Sequence, residues 1–349
     1  MKMKTKKLVS LLMTAVMCIA LLAGCGGNNA SSSSNSDSSA PSASAPEKMS
    51  LKMHLSCGTT DYVYTAGEKF AELVSEKTNG NLTIELYPSS SLGTTADCLE
   101  GLALGACNIV FDSVGNLASI TQLANIDAAP YMYSSVDHYR AVWEGETGAK
   151  IREAIGNDCG MTLLGYGLQG IRVMTTNKPI EHVADVKGMK LRVPTISIYL
   201  DTWSWLGAAP TPMAAADIFT AIQQNTVEGQ ENPYGASVGL SMQDCCKYVT
   251  ETNHVYSGDS FVLDTKFFNS LPAEYQTALT EAADEATSYL TDLAVDMAAE
   301  KKQVFVDAGC QIIEPDITEW QSAVEGFLSE KYPDLVEYAE MIAAVDPAK

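Results

Sequence analysis

Leu82-Thr83-Ile84-Glu85-Leu86-Tyr87 alternates apolar and polar side chains, and Pro88 closes the run. A period of two marks a half-buried strand. The residues on either side of it decide the fold class. Upstream, Leu51 to Leu55 reads as a strand, and Tyr64 to Thr78 as an amphipathic helix with Phe70, Leu73 and Val74 on one side, stopped by Gly80. Downstream, Thr95 to Leu104 has helical spacing up to Gly105, and Ile109-Val110-Phe111 is a short third strand. Strand, helix, strand, helix, strand in that order predicts a mostly parallel sheet with helices on its faces.

The middle of the chain repeats the style. Met161 to Gly167, Ile171 to Thr175 and Met189 to Val193 read as strands, and Tyr248 to Val255 and Ser260 to Leu263 as further candidates. Leu200 to Leu206 and Ala214 to Gln224 read as helices, with Val227-Glu228-Gly229 turning out of the second. Strands returning in two clusters predict two α/β lobes. Pro272 to Val306 is one long periodic run, with Leu279, Ala282, Ala286, Leu290, Leu293, Met297 and Val304 at helical spacings. At 1.5 Å per residue it would span roughly 50 Å, more than one small lobe. It is either a helix bracing both lobes or two helices with a kink. Trp320 to Tyr332 reads as the last helix, with Phe327 and Leu328 on its apolar side.

The N-terminus is of another kind. Lys2, Lys4, Lys6 and Lys7 precede an apolar run from Leu8 to Ala23 that ends at Leu22-Ala23-Gly24-Cys25. A basic start, an apolar core and small residues at a cleavage point describe a secretory signal. The run is short for a membrane span of about 20 residues. Gly26 to Ala45 is nearly all Ser, Asn, Gly, Ala and Pro, a composition with nothing to bury that behaves as a flexible leash. Small residues before a cysteine resemble the lipobox of bacterial lipoproteins. By that resemblance Cys25 becomes the first mature residue and carries lipid. The expected organisation is a signal over 1–24, an anchor and linker over 25–49, one lobe from 50–170 plus about 258–295, and a second from 171–257 plus about 296–349.

Removing four lysines with the signal leaves 18 basic against 43 acidic side chains, a net charge of −25. Such a surface repels nucleic acid and anionic lipid, so membrane attachment falls to covalent lipid. An anionic ligand would need its own local positive charge, and the chain has four arginines: Arg140, Arg152, Arg172 and Arg192. The folded part carries seven cysteines in no CxxC pair, and Cys245-Cys246 lacks the spacing of converging metal ligands. His138, His182 and His254 are scattered. No metal or cofactor is expected.

The ordered motifs carry a family resemblance over nearly the whole chain from Leu51. Thr78-Asn79-Gly80 leads into Leu82 to Pro88 and Leu92-Gly93; Ala129-Pro130-Tyr131 and Gly170-Ile171-Arg172 follow. Then come Asp185-Val186-Lys187-Gly188-Met189-Lys190-Leu191-Arg192-Val193-Pro194, Leu206 to Pro210, Ala221 through Glu231-Asn232-Pro233, and Leu271-Pro272 at the start of the long helix. The set resembles the DctP-type solute-binding proteins of the tripartite ATP-independent periplasmic (TRAP) transporters. The departures are Glu228-Gly229 where that family commonly has Asp-Gly, and Pro130-Tyr131-Met132-Tyr133 at a turn usually read P-F/Y-L-F.

The resemblance implies a periplasmic-binding-protein-like α/β fold of two lobes with crossing strands and a long bracing helix. It implies a monomer, without enzymatic activity, that takes a small organic anion (a dicarboxylate, keto acid, hydroxy acid or sugar acid) to a permease with a small and a large membrane subunit. Arg192 is the expected salt-bridge partner of the ligand carboxylate, since a guanidinium fork matches it bidentately. Arg172 and Asn232 are expected beside it. The plainer alternatives are a structural salt bridge for Arg172 and a turn residue for Asn232. Trp203, Trp205, Tyr199 and Tyr234 cluster around these motifs as candidate walls, at least one being ordinary core. His54, Asp112 and Thr195 lie at carboxyl ends of predicted strands, where ligands bind in open α/β sheets. Glu68 is a weaker candidate on the first helix. A hydrolase would need a positioned nucleophile, base and orienter, or paired carboxylates, and no H-E-x-x-H occurs. A binding protein that feeds a signalling receptor would carry the same cleft, and is the remaining alternative.

Overall fold

The computed structural model describes residues 47–349. The expected signal, Cys25 and nearly all of the linker lie outside the described residues. In chain order the elements are β1 Met49–Leu55, α1 Tyr62–Lys77, β2 Leu82–Tyr87, α2 Thr95–Leu102, β3 Ile109–Ser113, α3 Val136–Trp143, α4 Glu146–Cys159, β4 Met161–Thr176, β5 Lys190–Val193 and α5 Ser197–Trp205. Then come β6 Ala209–Pro212, α6 Ile218–Gln223, β7 Gly229–Pro233, α7 Tyr234–Gly239, β8 Tyr248–Thr250, β9 Tyr256–Asp264, α8 Thr265–Ser270, α9 Ala273–Asp307, β10 Gln311–Ile313, α10 Ile317–Ala323, α11 Phe327–Lys331 and α12 Val336–Ala344.

The strands form a sheet in the order β2-β1-β3-β9-β4-β7-β5-β6, with β8 also on β4 and β10 on β8. The opening strand–helix–strand pattern gives the expected parallel trio, β1 paired with both β2 and β3. The sheet as a whole is mixed, because β9 enters antiparallel between β3 and β4. β4 is the crossing strand. Its first half pairs with β9, and its second half with β7 and β8. The two expected segments, Met161–Gly167 and Ile171–Thr175, are this one 16-residue strand, whose ladder is interrupted by register shifts between Leu164/Gly167 and Leu168/Gly170.

α9 runs unbroken for 35 residues, so the kinked alternative is out. Its stripe of Leu279, Ala282, Ala286 and Leu290 is fully buried, whereas Leu293, Met297 and Val304 are half-buried and Phe305 takes the last core position. The helix presses directly on β4. A side chain at Gly165, where φ is +60°, would sit 2.6 Å from both the Ala283 carbonyl and the Thr287 hydroxyl. The backbone N–H groups freed at the irregularities of β4 find partners on the same helix: Tyr166 donates to Thr287 Oγ1 (3.2 Å) and Leu168 to Thr291 Oγ1 (2.9 Å). Buried backbone donors require such partners.

Several boundaries differ from expectation for local reasons. The first strand begins at Met49, inside the expected linker. The expected helix at Ala214 opens as a 3-10 turn and becomes α-helical only at Ile218. Val227-Glu228-Gly229 leads into β7. The expected strand Tyr248–Val255 stops at Thr250, and Asn253 turns the chain at φ 48°. The expected helix Trp320–Tyr332 is two short ones, parted at Gly326 with φ +75°, a left-handed conformation that glycine adopts without a Cβ penalty.

Candidate functional site

Arg172 and Glu231 lie on the paired strands β4 and β7 and meet as a bidentate ion pair. Arg172 Nε donates to Glu231 Oε2 at 2.5 Å and Nη2 to Oε1 at 2.8 Å, and Nη2 also reaches the Glu231 carbonyl at 2.7 Å. The guanidinium lies 4.8 Å from the centre of the Tyr199 ring. Both charged side chains are buried. His254 Nε2 stands 3.0 Å from Glu231 Oε2, and its Nδ1 2.8 Å from Thr252 Oγ1. Burial holds the His254 pKa below its ordinary value despite Glu231. The ring is therefore a neutral imidazole whose Nε2–H donates to the carboxylate. Burial opposes charge on Glu231, yet Arg172 and His254 outweigh it and hold the carboxyl at about 2. Burial likewise opposes charge on Arg172, and Glu231 pushes its pKa up. The structural salt bridge is thus what occupies the Nε–Nη2 edge of Arg172.

Arg192 is placed differently. It sits on β5, 4% exposed. Nε and Nη2 both donate to the Met213 carbonyl, at 2.9 and 2.6 Å. Among the described residues no carboxylate pairs with it. Burial brings its pKa down to about 10, with Glu231 partly offsetting and Arg172 adding to the fall, so it stays charged at neutral pH. A buried cation without a counter-charge is costly unless something anionic pairs with it.

Asn232 is 8% exposed on β7 and donates to Gln230 Oε1 at 2.5 Å; Gln230 in turn donates to Thr175 and Ser237. His54 and Asp112, from β1 and β3, are brought together through Thr95, whose hydroxyl donates to Asp112 Oδ2 at 2.7 Å and lies 3.3 Å from His54 Nε2. Tyr199 lies under Arg172, and Trp203 packs edge-on to His254, both fully buried. The remaining candidates are placed elsewhere. Trp205 donates its indole N–H to the Ala323 carbonyl and packs on Phe327, so its partners are the C-terminal helices. Tyr234 donates to Glu251 and packs on Phe305, beside a cavity of about 280 Å³ lined also by Tyr62, Ile171, Val295 and Lys302. That cavity is lined by neither Arg172 nor Arg192. Thr195 and Glu68 are exposed.

The residues that complete the cluster are Glu231 and His254, neither singled out above. Their signal was present: Gly229–Pro233 is buried at every position, and an acid in such a strand must find a cation. Gly235-Ala236-Ser237-Val238-Gly239 has the G-x-S-x-G spacing of a serine-hydrolase elbow, a feature also not picked out above. Ser237 is fully buried on α7 and accepts a hydrogen bond from Gln230 Nε2 at 3.1 Å. It packs within α7, and among the described residues no histidine bonds to it.

Arg172 on the crossing strand β4 and Arg192 on β5 thus stand buried on either side of β7, in a mixed α/β sheet braced by one long helix. The family model for bacterial extracellular solute-binding protein, family 7 (DctP) matches residues 54–333. A solute-binding protein of Roseobacter denitrificans is 32% identical over 288 residues, covering 82% of this chain and 88% of that one. The C4-dicarboxylate-binding periplasmic protein of Rhodobacter capsulatus is 30% identical over 283 residues, 80% of this chain and 85% of that one. The crystal structure of a TRAP periplasmic solute binding protein from Roseobacter denitrificans, with bound L-galactonate, matches with a TM-score of 0.80 at 29% identity, over 85% of this chain and 99% of that one. The chain belongs to the DctP family of extracellular solute-binding proteins, and its fold is their two-lobed α/β fold. It is a transport component that works outside the cytoplasm, not an enzyme.

Proposed function

We propose that the chain captures a small organic acid through Arg192 and hands it to a TRAP permease of a small and a large membrane subunit, while lipid on Cys25 holds it at the membrane. The two lobes, 50–170 with about 258–295 and 171–257 with about 296–349, would close on the acid. One observation carries this reading: Arg192 is a buried guanidinium that pairs with no carboxylate among the described residues. A ligand carboxylate supplies the missing charge and a bidentate partner. Arg172 shapes that position from its fixed pair with Glu231, and Asn232 offers a polar edge beside it. Relatives whose names specify a C4-dicarboxylate or whose structure holds L-galactonate support an acid as ligand. A thermal-shift panel of organic acids should find one that raises the Tm, and Arg192→Ala should remove its binding. Affinity retained within about tenfold of the parent, roughly 1.4 kcal/mol, would sink the assignment.

A further inference from the structure

α5, Ser197–Trp205, follows the strand that holds Arg192, and carries Tyr199 beneath Arg172 and Trp203 beside His254. It has no cap of its own. Its N-cap residue is Ile196, whose side chain cannot accept a hydrogen bond. The first N–H groups of a helix need acceptors from elsewhere. Here the acceptor comes from Asn125, 72 residues before Ser197. Its Oδ1 accepts from Ser197 Oγ at 2.9 Å and from the Ile198 N–H at 3.2 Å.

Asn125 is fully buried and set for that direction. Its Nδ2 donates to the Gln122 carbonyl at 3.1 Å and to Gln122 Oε1 at 3.0 Å, which fixes the amide with its oxygen toward α5. The segment around it is a 3-10 helix, Gln122–Ala128, anchored at both ends. Thr121 Oγ1 donates to Asp158 on α4 at 2.8 Å. Asp127 accepts from Ser113 Oγ on β3 at 2.7 Å and from the Gly115 N–H at 3.2 Å. All these anchors fall within 50–170, in the first of the two lobes proposed above, whereas α5 falls in the second. Beside the contact lies a cavity of about 290 Å³ lined by Gln122, Ser197, Asp201, Lys331, Tyr332 and Asp334. On that side the bridge between the lobes consists of hydrogen bonds, not of apolar packing.

We propose that Asn125 is a positioning residue for capture: it caps α5 only while the lobes are closed, and so sets how long the acid stays bound. The inference rests on the organic-acid reading and the lobe closure above. When the lobes part, the Ser197 hydroxyl and the Ile198 N–H exchange Asn125 for water. Each such exchange is worth a factor of a few, and the pair about tenfold. Turning a 1:99 population into 99:1 takes about 10⁴. The cap therefore slows opening of the loaded protein without closing the empty one. Ser197 also meets the Tyr332 hydroxyl, which belongs to its own lobe and moves with it.

Stopped-flow tryptophan fluorescence on the folded protein tests this, with Trp203 beside the site as reporter. The probe is the strongest binder among L-galactonate, D-glucuronate, succinate and pyruvate. Asn125→Leu should raise the dissociation rate about tenfold and leave the association rate unchanged. Ser197→Ala, which removes one of the two bonds, should raise it about threefold, and carries the test alone if Asn125→Leu does not fold. The double variant should dissociate no faster than Asn125→Leu, because the two residues act through one contact. An unchanged dissociation rate, a change confined to association, or effects that multiply in the double variant overturn the proposal and leave the organic-acid reading standing. Should none of the four acids bind the parent, that reading falls and this inference with it.

Discussion

Arg172 and Arg192 flank β7 on neighbouring strands, equally buried, and differ in what they hold. Arg172 is closed on Glu231, stacked on Tyr199 and backed by His254. Arg192 leans on one carbonyl and, among the described residues, has no carboxylate. The first is part of how two strands stay together; the second is an unfinished interaction. Residue type and burial do not separate these roles, and the neighbouring acid does.

The largest test of that contrast is removal of the acid. Glu231→Ala leaves the Arg172 charge buried and unpaired, and should lower stability by about 3–5 kcal/mol, read as a fall in Tm and in the denaturant midpoint. Arg192→Ala should cost far less stability while removing ligand binding. A stable, fully folded Glu231→Ala protein would erase the distinction. The pH response sharpens it. The folded pKa of Glu231, about 2, lies below its ordinary 4.5. Its contribution is therefore complete above about pH 4.5 and lost as pH falls through 2. An acid unfolding curve of the parent should show this loss, and Glu231→Gln should flatten it. The smallest effect belongs to Thr195, an exposed residue in the loop that follows Arg192. Thr195→Ala should change stability by less than about 0.5 kcal/mol, and a larger change would mean that the loop packs more tightly than its exposure shows.

Much of this arrangement was readable beforehand because periodicity is local. The parallel β1–β2–β3 unit, the 35-residue helix and the strand positions of both arginines all follow from runs of a few residues. What stayed hidden depends on partners distant in sequence. Arg172 and Glu231 are 59 residues apart, and no local pattern announces their pairing. Trp205 sits among site motifs, yet its indole bonds a carbonyl 118 residues further on. Short elements escaped as well. α3 and α4 lie in a stretch without strong alternation, and α12 follows a Gly326 break that periodicity alone reads through.

The position of β9 has a kinetic consequence. Among the described residues this strand, Tyr256–Asp264, alone links β3 to β4 in the sheet order, and the helix that partners the freed amides of β4 comes later still. A chain emerging N-terminus first therefore gains the join between its half-sheets only after some two hundred folded-domain residues are out. Contacts of such sequence separation form slowly, because the loop-closure entropy is met before they return anything. Glu231 and Met213, the partners of the two arginines, emerge before that join can form, whereas His254, which backs Glu231, arrives only just ahead of β9.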